Sequence, residues 1–209
     1  MAELKFVMWN CSGVLPTSSP EEKLLFLVNN FSIFDVLILL ETHHKDSKEL
    51  PSILDAYKNS YHLIHTEASL EDPFAGIIVL VDKRVTVISQ TELIQGRLLN
   101  LKLKLGDNVF CVSTMYGYTG KKSTPSKLKL FTEHLKKNHS IQGQNIILGD
   151  FNFVDNHLDR TSKARQGLNQ LDKSLHNVWL DFIDRLDLTD PFRARNPKRR
   201  MYSYSTDCA

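Results

Sequence analysis

Five polar residues stand where apolar runs of this sequence stop. Asn10 follows Leu4-Lys5-Phe6-Val7-Met8-Trp9, and Glu41 follows Asp35-Val36-Leu37-Ile38-Leu39-Leu40. Tyr116 closes a β-rich run, and Asp150 comes after Asn145-Ile146-Ile147-Leu148-Gly149, with Asn152 two residues on. Taken singly, each has an ordinary explanation. A carboxylate just past a strand usually caps a helix or shapes a turn, Gly149-Asp150 is a common turn dipeptide, and Tyr116 suits a half-buried sheet position. Together they mean more, because in sheets packed face to face the strand ends cluster at one rim, where binding groups gather. Two carboxylates and two carboxamides on such a rim form an oxygen-rich site, the donor set that hard divalent cations such as Mg²⁺ prefer. His43-His44 reads differently. Neighbours on an extended chain point opposite ways, so the pair seldom ligates one ion, and a solvent-facing loop is expected.

The elements that must position these residues follow from periodicity. The run before Asn10 reads as a buried strand. Ser19-Pro20-Glu21-Glu22 has a capping-box pattern, and Leu24, Leu27, Val28 and Phe31 continue it at helical spacing. Residues 35–40 are continuously apolar after Asp35, as in a strand covered on both faces. Residues 61–66, 75–81, 84–89, 98–105 and 109–116 are β-rich, and the separators Asp82-Lys83 and Gly106-Asp107 are short enough for hairpins. Leu99, Leu101, Leu103 and Leu105 alternate with Asn100, Lys102 and Lys104, the mark of a sheet with one wet face. A helix is expected from Thr124-Pro125, turning Leu128, Phe131 and Leu135 inward. A longer one should carry Leu168, Leu171, Leu175, Val178, Trp179, Phe182, Ile183 and Leu186 as one apolar stripe. A basic loop and a strand at Tyr202-Ser203-Tyr204-Ser205 complete the order, which makes one α/β domain over residues 1–209.

Composition narrows the class. The 209 residues are 42% apolar and 24% charged, which excludes a disordered tail or a fibrous repeat, and the net charge is only +2. Cys11, Cys111 and Cys208 are few, odd in number and far apart, which speaks against a disulfide framework and for a reducing, intracellular setting. The start is not a secretory signal, and the longest apolar run, broken by Asp35, is too short for a bilayer. Charge is uneven along the chain. Residues 121–139 carry six lysines, Lys127 among them, against Glu133 alone. Arg193, Arg195, Lys198, Arg199 and Arg200 form a second cluster with no acid. The first run fits a solvated helix face as well as it fits a binding face. The second, beside the final strand, suits phosphate contacts on DNA.

The motifs, in this order, resemble the endonuclease/exonuclease/phosphatase superfamily. Trp9-Asn10-Cys11-Ser12-Gly13 is similar to its first motif, Leu39-Leu40-Glu41-Thr42-His43 to its metal-binding glutamate motif, and Met115-Tyr116-Gly117 to its tyrosine motif. Gly149-Asp150-Phe151-Asn152 matches its most specific signature. Leu158-Asp159-Arg160-Thr161 resembles the leucine-aspartate-arginine signature of endonuclease domains from LINE (non-LTR) retrotransposons. Asp190-Pro191 through Tyr202-Ser203-Tyr204-Ser205 repeats the layout of their C-terminal part, with Ser203 where threonine is usual. The resemblance implies a deoxyribonuclease-I-like, four-layered α/β sandwich: two packed mixed β-sheets flanked by helices, with the last strands absent.

By the same resemblance, Glu41 with Asn10 behind it, joined by Asp150 and Asn152, would hold Mg²⁺, with Mn²⁺ as a substitute. Asp150 would orient or deprotonate the attacking water, Asn152 and Tyr116 would donate to phosphate oxygens, and Ser203 would contact the phosphate or order the site. The implied activity is nicking of one strand of double-stranded DNA, leaving a 3′-hydroxyl for target-primed reverse transcription. It would be carried out by a monomer in the nucleus, with a reverse transcriptase following in a full-length polypeptide. The alternatives are an abasic-site repair endonuclease or other phosphoesterase of the superfamily, and a catalytically dead DNA-binding fragment. Ser12, where the repair enzymes carry an aspartate, leans away from repair. The family's closing aspartate-histidine pair has no counterpart after Ser203, so the chain is expected to be a fragment with activity reduced by several orders of magnitude.

Overall fold

The structure is a computed structural model that describes residues 3–13, 34–50, 52–119, 124–137, 143–153 and 170–199. The expected helix after Ser19, the Leu158-Asp159-Arg160 segment, the final strand with Ser203, and Arg200 and Cys208 lie outside the described residues.

Among the described residues, eight strands form two mixed sheets. The first sheet has the order β1 (Phe6–Asn10), β2 (Val36–Leu40), β4 (Ile77–Asp82), β3 (Tyr61–Thr66); β1 and β2 are parallel and the other pairs antiparallel. The second runs β5 (Thr86–Ile94), β6 (Leu98–Leu105), β7 (Asn108–Tyr116), β8 (Gln144–Asp150), with β7 and β8 parallel. Side-chain alternation builds the layers. Val36, Ile38 and Leu40 of β2, Ile77, Val79 and Val81 of β4, and Leu99, Leu101 and Leu103 of β6 meet Phe110, Val112 and Tyr116 of β7 between the sheets. The opposite faces of β2 and β4 (Leu37, Leu39, Ile78, Leu80) are covered by Leu54 from the 3₁₀ turn Ser52–Tyr57. That double covering explains why both strands are apolar throughout. On the far side of the second sheet, Leu98 and Met115 pack on Leu130 and Phe131 of α1 (Thr124–Lys137) and on Leu175 and Phe182 of α2 (Gln170–Arg185). This is the deoxyribonuclease-I-like α/β sandwich. No described helix is long and apolar enough to cross a membrane.

Several expectations are corrected. Gly106-Asp107 does join a hairpin, pairing Leu105 with Asn108, but Asp82-Lys83 does not. The chain leaves β4 in one sheet and enters β5 in the other. A tight turn, Val85 N–H to the Asp82 carbonyl (2.9 Å), makes this change, and Arg84 locks it by bonding Asp82 and, at 2.8 Å, Asp35. β5 begins later and runs longer than residues 84–89, with register shifts after Val87 and after Glu92. β1 is only half-buried, since it is the outermost strand of its sheet in the observed order. Part of the expected basic loop is a short helix, α3 (Pro191–Arg195): the Asp190 side chain accepts from Arg193 N–H (2.9 Å) and Pro191 occupies the first turn.

Candidate functional site

The two parallel pairs decide where the polar strand ends go. Antiparallel partners would send their carboxyl ends to opposite rims, whereas parallel partners bring them to one. Asn10 pairs with Leu40, the residue before Glu41, and Tyr116 pairs with Asp150. The two rims then meet, because Asn10 Nδ2 donates to Asp150 Oδ2 at 2.9 Å across the sheets. The other Asp150 oxygen accepts from the Asn152 backbone N–H at 3.0 Å, so the carboxylate is held from both sides. The expected residues Asn10, Glu41, Tyr116, Asp150 and Asn152 all stand on this rim.

Local backbone supports the arrangement. Ser12, Glu41, His43 and Asn152 all have left-handed backbone angles, φ between 47° and 60°, an uncommon conformation for residues with side chains. Its recurrence at three loops of one rim fits a functional constraint. After Asp150 the chain alternates: Asp150 and Asn152 face the rim, while Phe151 and Phe153 pack on Trp179 of α2, with ring centroids 5.0 and 5.2 Å away. A period of two thus anchors the loop from beneath while presenting its polar side chains. Asn152 is fixed further by Nδ2–H donation to the Gly117 carbonyl (2.8 Å), which leaves the second amide hydrogen available.

Tyr116 is buried, and burial followed by the Glu41 carboxylate, which shares a hydrogen bond with the phenol, raises its pKa above the ordinary tyrosine value. It therefore keeps its proton and remains a donor. Glu41 itself is partly exposed, with Oε1 3.5 Å from His43 Nε2. The histidine pair is not a solvent-facing loop, which corrects the expectation. His43 packs edge-on against Phe74 beside Glu41. His44 is fully buried, with Nδ1 2.6 Å from Thr42 Oγ1 and Nε2 3.4 Å from His65 Nδ1. The two side chains have separate partners.

Three supporting residues escaped the sequence reading. Arg97, just ahead of β6, is buried. It clamps Asp72 with two bonds of 2.7 Å, donates to the Gly117 carbonyl (3.0 Å), and lies over the rings of Tyr116 and Tyr118 at 4.1 and 4.5 Å. Nothing local in the sequence marks it. Lys127 belongs to the lysine-rich run, yet it is only 7% exposed and donates to the Asn152 carbonyl at 2.6 Å. Its spacing of four from Phe131 puts it on the inward face of α1, a signal that was available. Thr42, bonded to His44, is the third.

The basic cluster divides. Arg195, Lys198 and Arg199 are exposed. Arg193 instead turns back to donate to the carbonyls of Asn196 (3.2 Å) and Arg199 (2.9 Å), which makes it a brace for that loop.

A divalent ion fits this donor set in one particular way. Among the described residues no three His, Cys, Asp or Glu side chains cluster as an all-protein cage. The rim instead offers two carboxylates with carboxamides beside them. This suits Mg²⁺, which retains several waters and takes one or two carboxylates.

No family model matches the sequence, and no curated protein does. Solved structures do share its fold. The AP endonuclease LMAP from Leishmania major matches with a TM-score of 0.67 and 15% identity, over 98% of this chain and 73% of that one. TDP2 from C. elegans matches with a TM-score of 0.57 and 17% identity over 73% of this chain, which spans 48% of that one. D. rerio TDP2, complexed with single strand DNA product, matches with a TM-score of 0.56 and 18% identity, over 72% of this chain and 61% of that one.

Proposed function

We propose that this chain is a metal-dependent phosphodiesterase acting on DNA, and within that class an endonuclease of the LINE retrotransposon type, which nicks one strand of a duplex to leave a 3′-hydroxyl. The observation that carries the reading is the Asn10–Asp150 hydrogen bond, 2.9 Å, which joins the two sheets at the rim where Glu41, Tyr116 and Asn152 also stand. Fold neighbours that are an AP endonuclease and TDP2 with a DNA product add support for the broader class. The finer assignment rests on the motif resemblance and on Ser12.

Glu41 and Asp150, with the amide oxygens of Asn10 and Asn152, would hold Mg²⁺ or Mn²⁺. The bound ion supplies charge neutralisation at the scissile phosphate and at the departing oxygen. Asp150 is the group that orients the attacking water and accepts its proton. Asn10 Nδ2 and the Asn152 N–H each occupy one of its oxygens, and the one lone pair left on each would serve the ion and that water. The free hydrogen of the Asn152 amide donates to a non-bridging oxygen as charge builds there, and the Tyr116 phenol, held protonated by burial and by Glu41, would turn its one hydrogen from Glu41 to a second such oxygen when the substrate is bound. Such preorganised donors are worth about 3 kcal/mol each. Water oxygen bonds to phosphorus, the bond from phosphorus to the 3′ oxygen breaks, that oxygen takes a proton from solvent water to become the hydroxyl, and the proton held by Asp150 returns to solvent. Arg195, Lys198, Arg199 and Arg200 would bind duplex phosphates, and Ser203 would contact the phosphate or order the site. The protein would act as a monomer in the nucleus, with a reverse transcriptase in the same polypeptide using the new 3′ end.

Abasic-site cleavage is the second reading, favoured by the AP endonuclease that matches nearly the whole chain. The test is supercoiled-plasmid nicking in Mg²⁺ and in EDTA, with Asp150→Ala alongside and an abasic duplex in competition. Metal-dependent nicking of intact DNA that is lost in Asp150→Ala is expected. Preference for the abasic duplex would replace the retrotransposon reading with repair, and salt-sensitive DNA binding without turnover would make the chain a binding fragment.

A further inference from the structure

Arg97 has a burial that its charge alone would resist. An arginine 4% exposed must be paired and its donors filled, and here every arm of the fork is placed. Two arms grip Asp72 in the loop between β3 and β4. The remaining nitrogen donates to the carbonyls of Gly117 (3.0 Å) and Tyr116 (3.4 Å), and the flat face covers the Tyr116 and Tyr118 rings. The Arg97 carbonyl also accepts from the Tyr116 N–H at 2.9 Å. The Gly117 carbonyl is the shared node. It accepts from Arg97 on one side and from Asn152 Nδ2 on the other, while the Gly117 N–H donates to the Asp150 carbonyl at 2.7 Å. One guanidinium therefore touches, directly or through one carbonyl, both groups assigned to the phosphate oxygens.

We propose that Arg97, clamped by Asp72, is a positioning residue for phosphodiester cleavage: it fixes the Tyr116 phenol and, through the Gly117 carbonyl, the Asn152 amide relative to each other. The assignment rests on the proposed hydrolytic function for its consequence in catalysis, and on geometry alone for the placement. The guanidinium is required for its shape as well as its charge. A lysine could keep one bond and the charge, but could not grip Asp72 in two places, reach both carbonyls and lie flat on two rings. Asp72 is partly exposed, so the clamp can be loosened from outside without emptying the buried site.

The test compares Arg97→Lys and the milder Asp72→Asn with wild type. The first readout is independent of activity: the side-chain amide resonances of Asn152 in a ¹⁵N–¹H correlation spectrum, assigned by their loss in Asn152→Ala. They should move or broaden in both variants, and unchanged resonances in a folded variant overturn the placement. The second readout is nicking kinetics. A displacement of about 1 Å at a reacting geometry can lower the rate about a hundredfold, and the loss should fall in kcat with KM little changed. The same substitution made in Tyr116→Phe/Asn152→Ala should cost nothing further, because Arg97 acts only through those two residues. A full additional loss in that background would show a merely structural role and overturn the proposal. If wild type itself does not nick while the Asn152 resonances respond, the hydrolytic reading fails and the placement stands.

Discussion

Substituting Gly117 with alanine tests the geometry of the rim with one methyl group. Gly117 lies where β7 leaves its sheet and crosses the end of β8, and its backbone is bonded on both sides, to the Asp150 carbonyl and from Arg97 and Asn152. A Cβ there would fall on the Phe151 carbonyl and stand 3.1 Å from the Phe151 Cα. That overlap is about 1 Å inside the ordinary C···O approach of about 3.3 Å. The obstacle is backbone, pinned below by the Phe151–Trp179 packing, so no side chain can swing away. The strand ends must part by about 1 Å, at the usual overpacking penalty of about 1–3 kcal/mol. For a protein of this size each kcal/mol lowers Tm by about 2–4 °C. The same shift separates Asp150 and Asn152 from Tyr116, so the nicking rate should fall about a hundredfold. Gly106→Ala is the control. Its Cβ meets nothing within 4 Å, although φ is +60°, so it should lose a little stability to backbone strain and no catalytic rate. Thermal melting and single-turnover nicking measure both variants. Gly117→Ala with wild-type Tm and rate would refute the claim that the Gly117–Phe151 approach sets the site.

Three further predictions can be tested together. Tyr116→Phe should slow nicking about 10²–10³-fold through loss of one donor. Because burial and Glu41 raise the phenol's pKa, its contribution to stability is complete below the ordinary value of about 10 and lost as pH rises beyond it, which alkaline denaturation curves will show as a later loss in the phenylalanine variant. Burial pushes His134, bonded to Ser113 Oγ at 2.6 Å, down to about 4. Its contribution is complete above about 6.5 and lost as pH falls toward 4, a change of about 3 kcal/mol that urea denaturation should find flattened in His134→Gln. Lys127→Met should slow nicking without altering the salt dependence of DNA binding, since its ammonium is buried against Asn152, whereas Arg199→Ala should lower the slope of log K against log[salt] by about one. Equal slopes for Arg199→Ala and wild type would remove Arg199 from the DNA interface.

The elements were legible wherever local pattern and tertiary role agree. The alternation of Leu99 to Leu105 against Asn100 to Lys104 announced one buried face, and β6 shows it. The unbroken apolar run of β2 announced burial on both faces, which the second sheet and the 3₁₀ turn supply. Legibility failed where a residue's surroundings come from elsewhere in the chain. Asp82-Lys83 looks like any hairpin turn, and only the packing of the sheets shows that the chain changes sheet there. His43-His44 looks like a polar loop, but Thr42 and His65 give His44 partners that let it be buried. Arg193 looks like its basic neighbours until Asn196 and Arg199 offer it carbonyls.

For the candidate site the division is similar. By itself the sequence determined which residue types end the apolar runs, because a polar residue after a buried strand is written in the chain one position at a time. Asn10, Glu41, Tyr116, Asp150 and Asn152 could all be named on that basis. Tertiary structure alone decided that they share a rim, since this depends on parallel pairing of β1 with β2 and of β7 with β8, and on an amide reaching a carboxylate 140 positions away. It also decided that Arg97 and Lys127 lie behind that rim and not on the surface. The free energy of burying a cation is set by the acceptors that surround it, and those acceptors, Asp72, Gly117 and Asn152, come together only when the sheets have closed.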